Sequence, residues 1–187
     1  MRIVGGSKKG HVLKSSADAK TRPTLSRVRE AVFDILRPRM EGARFLDLFA
    51  GTGAIGLEAL SHGAAHCCFV ENRFRACRAL EDNVRTLGFS ACSAVVNKDV
   101  FSWLREIAVA EPCPKPYDVI FLDPPYGSDL VEKTLAHPVL VERLAAQDTL
   151  LIAQVGRKDA LDLERISLSL IREKSYGDTR LLFFEKH

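Results

Sequence analysis

At 187 residues and 47% hydrophobic, the chain is long enough for one catalytic-sized domain with a small appendage. No apolar run reaches a membrane span, MRIVGGSKKG lacks a signal-peptide core, and the five cysteines form no CxxC or metal-ligand spacing, so a reduced, cytoplasmic, non-membrane setting is expected. The net charge of +3 is unevenly divided, because residues 1–39 carry ten Lys or Arg against Asp18, Glu30 and Asp34, which leaves the remainder net acidic. A basic leader on an acidic body is the asymmetry of a nucleic-acid contact surface. Its candidate phosphate contacts are Arg2, Lys8, Lys9, Lys14, Arg22, Arg27 and Arg29.

In chain order, RIVGG, the turn SKKGH and VLKS read as a β-hairpin. In TLSRVREAVFDIL, Leu25, Val28, Val32, Ile35 and Leu36 recur at helical spacing, and Pro38 ends the helix. From residue 44 strands and helices alternate. RFLDLF is a strand, GAIGLEALSHG a helix, CCFVE a strand, and RFRACRALEDNVRTLG a helix closed by Gly88. SAVVN, DVIFLD and TLLIAQV are further strands. Between them lie the helix VFSWLREIAVA and a helical run, LVEKTLAHPVLVERLAA, broken by Pro138. RISLSLIREKSYG and TRLLFFEK suggest a closing hairpin that places one antiparallel strand in the sheet. The alternation implies an α/β fold, a mainly parallel seven-stranded sheet with helices on both faces. Residues 1–39 form the leader and 40–187 the catalytic domain.

LDLFAGTGAIG carries GxGxxG at Gly51, Gly53 and Gly56, after a strand and before a helix, which is the context of a nucleotide-type binding turn. Glu71, ending the next strand, is placed to accept from ribose hydroxyls. Asp47 separates two cofactor classes. A carboxylate four residues before Gly51 repels a dinucleotide pyrophosphate but attracts an ammonium and a sulfonium, which points to S-adenosylmethionine. Taken alone, Asp47 could simply shape the loop. Asp99 is placed to accept from the adenine amino group, or to cap the helix that follows it, and the two roles are compatible.

VIFLDPPYG runs a buried-looking strand into Asp123, Pro124, Pro125 and Tyr126. The prolines end the strand, fix their own φ and offer no N–H to compete with the Asp123 carboxylate or the Pro124 carbonyl as acceptors. Asp-Pro-Pro alone would usually be a turn. On this fold, however, the fourth strand ends across the cofactor site. The two acceptors can take the hydrogens of a nucleobase amino group and aim its lone pair at the methyl carbon, with Tyr126 stacking on the base. No metal is required.

These segments together resemble the bacterial 16S rRNA guanine-N2 methyltransferase family, over nearly the whole chain: MRIVGG, TRPTLSRVREAVFDIL, LDLFAGTGAIGLEALSHGA, VEN, NKD and FLDPPYG. The glycine loop and DPPY are shared with many amino-methyltransferases, whereas the leader motifs are more specific. The resemblance implies a Rossmann-like class I S-adenosylmethionine-dependent fold, with cofactor contact by Asp47, Gly51, Gly53, Glu71 and Asp99. It implies catalysis by Asp123 with Pro124, Pro125 and Tyr126, and a monomer acting on small-subunit rRNA within the subunit or an assembly intermediate. The RPT turn, with Arg22 and Thr24, could also close over the cofactor. His11, Asn72-Arg73 and Gln154 depart from the family's usual residues, and none is expected to touch the methyl-transfer residues. The alternatives are a DNA adenine-N6 methyltransferase, for which a target-recognition region is missing, a nicotinamide oxidoreductase, which Asp47 disfavours, and an RNA-binding module with a decayed site.

Overall fold

The computed structural model describes residues 1–14 and 24–186. Its seven strands are β1 (Arg44–Leu48), β2 (His66–Glu71), β3 (Ser93–Asn97), β4 (Tyr117–Leu122), β5 (Ala145–Gly156), β6 (Leu168–Tyr176) and β7 (Thr179–Lys186). They form one sheet in the order β3-β2-β1-β4-β5-β7-β6. The first five are parallel, and β7 runs antiparallel to both β5 and β6. The expected single antiparallel strand and closing hairpin are both present.

The sheet is covered on both faces, which explains strands that read as near-continuous apolar runs. Alternation along β1 sends Phe45 into one core with Val32, Phe33, Leu57, Phe69 and Phe121. Leu46 and Leu48 enter the other, with Trp103, Leu104, Ile120, Leu140 and Phe184. Helices α1 (Thr24–Leu36), α2 (Ala54–Ser61) and α3 (Phe74–Leu87) supply residues to the first face, and α4 (Val100–Val109) and α5 (Leu130–Leu135) to the second. Each large apolar side chain so buried contributes roughly 1.5–3 kcal/mol. Among the described residues no helix is long and apolar enough to cross a membrane.

Two elements differ in detail from the sequence reading. The long helix expected around Pro138 ends at Leu135, and after a break the chain makes one π turn over Leu140–Leu144 before entering β5. Proline removes a donor and restricts the residue before it, so the break falls ahead of the ring. The N-terminal hairpin is short: Arg2 bridges Val12, and a 3-10 turn over Gly6–Lys8 makes the bend. Ile3 and Leu13 carry the hairpin into the same core as α1.

The sheet order reverses between β1 and β4, with β2 on one side and β5 on the other. In open α/β sheets this switch point, at the carboxyl ends of the strands, leaves a crevice between diverging loops.

Candidate active site

A cavity of about 200 Å³ lies in that crevice, with Asp47, Gly51, Asp123 and Gln154 among its walls. Asp47 comes from the end of β1. It is buried, and its Oδ2 accepts from the Gly56 N–H at 2.9 Å, tying the first turn of α2 to the strand. The loop-shaping role considered for Asp47 is therefore in place, and the residue also lines the cavity. Burial pushes its carboxyl up to about 8, and the nearby Asp123 and Glu71 carboxylates add to the rise. A ligand cation here would be drawn to the ionised form.

The glycine loop follows from steric demands. A Cβ on Gly53, at φ +80°, would lie 2.2 Å from Leu80 Cδ1, and one on Gly56 would lie 2.3 Å from the Phe69 ring. Both glycines let α2 close onto β2 and α3, and only Gly51 of the two predicted cofactor glycines borders the cavity. Between β1 and Gly51, Phe49 adopts φ 63°, a strained conformation for a bulky residue and one that clusters at functional sites.

Glu71 ends β2 as expected, but its carboxylate is already engaged. Oε2 accepts from Gly51 N–H at 2.7 Å, and Oε1 from both Arg73 N–H at 2.8 Å and Arg73 Nε at 2.9 Å. Glu71 thus sets the height of the loop, and Arg73 joins the cavity wall beside it. Asp99 caps α4, with Oδ1 accepting from Phe101 and Ser102 N–H. It is exposed and lies outside the cavity wall, and its expected capping role is in place.

On the far side, Asp123 follows β4, and desolvation raises its carboxyl to about 7. The Pro124 carbonyl accepts from no donor among the described residues, whereas the Pro125 carbonyl accepts from Ser128 Oγ at 2.6 Å. Tyr126 is 37% exposed, and its hydroxyl is tied to Thr179 Oγ1 at 2.9 Å. Gln154 connects the group. Register pairs Leu122 with Ala153, which sets Asp123 beside Gln154 on β5. Gln154 Nε2 donates to Asp123 Oδ1 at 2.9 Å and to the Tyr126 hydroxyl at 3.0 Å. The expectation that the departures from the family avoid the methyl-transfer residues is therefore corrected, because Gln154 touches two of them. Only the strand register could have signalled this.

The leader divides. Arg2, Lys9, Lys14 and Arg27 are exposed. Lys14 Nζ pairs with Asp82 at 3.0 Å, Lys8 Nζ sits over the Phe89 ring, and the imidazole of His11 bonds the Lys8 carbonyl. Arg22 lies outside the described residues. Arg29 is a correction: it is 2% exposed, its Nε pairs with the buried Glu58 at 3.3 Å, and its guanidinium donates to the Arg2 carbonyl at 2.6 Å. A side chain so enclosed cannot reach a phosphate, and it forms part of the cavity wall instead. Glu58 also accepts from Val4 and Gly5 N–H, so the hairpin is lashed to α2.

A family model described as conserved hypothetical protein 95 matches residues 1–185. The chain is 36% identical over 186 residues to "Putative rRNA methyltransferase YlbH" of Bacillus subtilis (strain 168), covering 100% of this chain and 99% of that protein. It is 32% identical over 188 residues to "Ribosomal RNA small subunit methyltransferase D" of Escherichia coli (strain K12), covering 100% and 90%. Among solved structures, "Putative methyltransferase yhhF from Escherichia coli" superposes with a TM-score of 0.82 at 31% identity, over 100% of this chain and 98% of that one.

Proposed function

The chain belongs to the conserved hypothetical protein 95 family, and from that premise we propose that it transfers a methyl group from S-adenosylmethionine to the N2 amino group of a guanine in small-subunit rRNA. The observation that carries the reading is the pairing, across one cavity, of the buried Asp47 with the rigid acceptor pair of Asp123 and Pro124. The donor set suits the cofactor, with a buried carboxylate for an ammonium. S-adenosylmethionine, when bound, supplies an electrophilic methyl carbon on a sulfonium. Asp47 and the Gly51 turn would hold its amino-acid portion, and Glu71 and Arg73 would border its ribose.

The protein's own work is positional. The lone pair of a guanine N2 is conjugated with the ring, which makes the nitrogen a poor nucleophile. Asp123 Oδ2 and the Pro124 carbonyl accept its two hydrogens, favouring a pyramidal nitrogen aimed at the methyl carbon. As the N–C bond would form at the expense of the sulfonium's bond to the methyl carbon, one N2 proton would become acidic, and an Asp123 carboxyl near 7 is suited to take it on the way to solvent. Tyr126, with its hydroxyl anchored, presents its ring to the base.

Calorimetry with S-adenosylmethionine, S-adenosylhomocysteine and NAD tests the cofactor. Both sulfur ligands should bind and NAD should not, and binding of NAD alone would reject the reading. Labelled-methyl transfer to rRNA and to DNA separates the proposed enzyme from a DNA adenine methyltransferase.

The exposed Arg2, Lys9, Lys14 and Arg27, with the half-buried Lys8, are the proposed docking patch. Lys8→Glu/Lys9→Glu should weaken RNA binding and reduce the slope of log affinity against log salt by roughly 0.7–0.9 per lost contact. Affinity for S-adenosylmethionine, measured in parallel, should be unchanged. An unaltered salt slope would reduce this hairpin to a solvated face.

A further inference from the structure

We propose that Gln154 reads the target base: its side-chain carbonyl accepts the N1–H of guanine while its amide nitrogen holds Asp123 and Tyr126 in place. The inference rests on the guanine-N2 reading and assigns a specificity-determining residue within that site. Three observations carry it.

First, the amide orientation is fixed by its partners. Nε2 makes two bonds, to Asp123 Oδ1 and to the Tyr126 hydroxyl. Above pH 7, where Asp123 is ionised, its carboxylate can only accept, so rotating the amide would set oxygen against oxygen. Tyr126, accepting from Gln154, is free to donate to Thr179 Oγ1, and the chain of bonds closes without conflict. Both Nε2 hydrogens are thereby used, and only Oε1 remains.

Second, Oε1 accepts from no donor among the described residues, although the residue is 4% exposed and forms part of the cavity wall. The side chain is nearly enclosed, but Oε1 itself stays open to the cavity, where a ligand N–H can replace water as its donor.

Third, the acceptors stand side by side. The 2.9 Å bond keeps the Gln154 amide next to the Asp123 carboxylate, so the Oε1 acceptor neighbours the acceptor for the amino group. Guanine presents two adjacent donors on one edge, N1–H and the N2 amino group. Adenine presents a lone pair at N1 beside its N6 amino group, which would face Oε1 repulsively. The same contact that favours guanine therefore disfavours adenine, and it does so without moving Asp123.

The test uses small ribosomal subunits reconstituted with rRNA that carries guanine or 2-aminopurine at the methylated position. 2-Aminopurine keeps the amino group at C2 but has a lone pair at N1. Wild type should prefer guanine in kcat/KM by about 10- to 100-fold, the worth of one buried acceptor left unpaired. Gln154→Met should be slower on both substrates, because Asp123 loses its tether, and its preference should collapse to within a few-fold. Gln154→Glu keeps an acceptor, and a proton shared with Asp123 can replace the amide N–H, so it should retain the preference at a reduced rate. Affinity for S-adenosylhomocysteine reports that each variant is folded. Equal use of both bases by wild type overturns the inference, as does a preference that survives in Gln154→Met, which would assign it to the guanine O6. Loss of the preference in Gln154→Glu also overturns it. Failure of wild type to methylate any guanine in the reconstituted subunits would instead remove the proposed reaction itself.

Discussion

Asp123→Ala should lower methyl transfer by about 10²–10³-fold or more while leaving the affinity for S-adenosylmethionine within a few-fold of wild type. The magnitude is that of removing one preorganised group that acts where charge develops in the transition state. The split between rate and binding follows from position, since Asp123 follows β4 opposite the glycine loop and is assigned to the amino group rather than to the cofactor. A pH dependence accompanies the variant. With its carboxyl near 7, Asp123 is largely protonated at pH 6, and a protonated carboxyl offers fewer acceptors to the amino group. The wild-type single-turnover rate should therefore climb through pH 7 to a plateau, and the residual rate of the variant should lack that limb. Full activity in Asp123→Ala, or a variant that loses cofactor binding and rate together, would sink the assigned role.

Asp47→Asn should separate stability from binding. The folded protein holds the Asp47 proton far more tightly than the unfolded chain does, near 8 against an ordinary value of 3.8. Between those values the native state binds more protons, so this residue's contribution to stability is full below pH 4 and is lost as pH rises toward 8. Asn cannot ionise, yet its oxygen can still accept from Gly56 N–H. The ligand-free variant should therefore melt close to wild type at pH 4 and well above it at pH 8, each kcal/mol being worth about 2–4 °C in a domain of this size. The same change removes the charge that attracts the cofactor's ammonium, and affinity for S-adenosylmethionine at pH 8 should fall by about 10- to 100-fold. Parallel melting profiles for the two proteins would show that the Asp47 carboxylate is not strained by burial. Unchanged affinity would remove it from the cofactor site.

Legibility from sequence followed the range of the signals. Strands β1, β2 and β4 are short apolar runs between turn residues, and their types and order could be read with ends off by a residue or so. Asp47, Gly51 and Asp123 were legible because each sits at a fixed offset from a strand end, and the parallel topology gathers strand ends. Lateral relations between strands were not legible. Gln154 meets Asp123 only because β5 lies beside β4 in a register that no local pattern encodes. Arg29 looks like one more charge in a basic leader, and its partner Glu58 lies in a different helix. Glu71 was located correctly, but that Arg73 and Gly51 already bond it depends on how the loop folds back.

The lashing of the hairpin to α2 has a mechanical meaning. Arg29 and Glu58 are both buried, and removing one partner of such a pair typically costs 3–5 kcal/mol, so the joint is stiff. α2 is also the helix whose first turn carries the glycine loop. On the proposed reading, the hairpin that grips RNA and the helix that carries the glycine loop are held in a fixed relation by these bonds. On that reading the molecule would act as a ruler. A guanine at the right distance from the gripped strand would be modified, and an identical guanine a few nucleotides away would stay beyond reach.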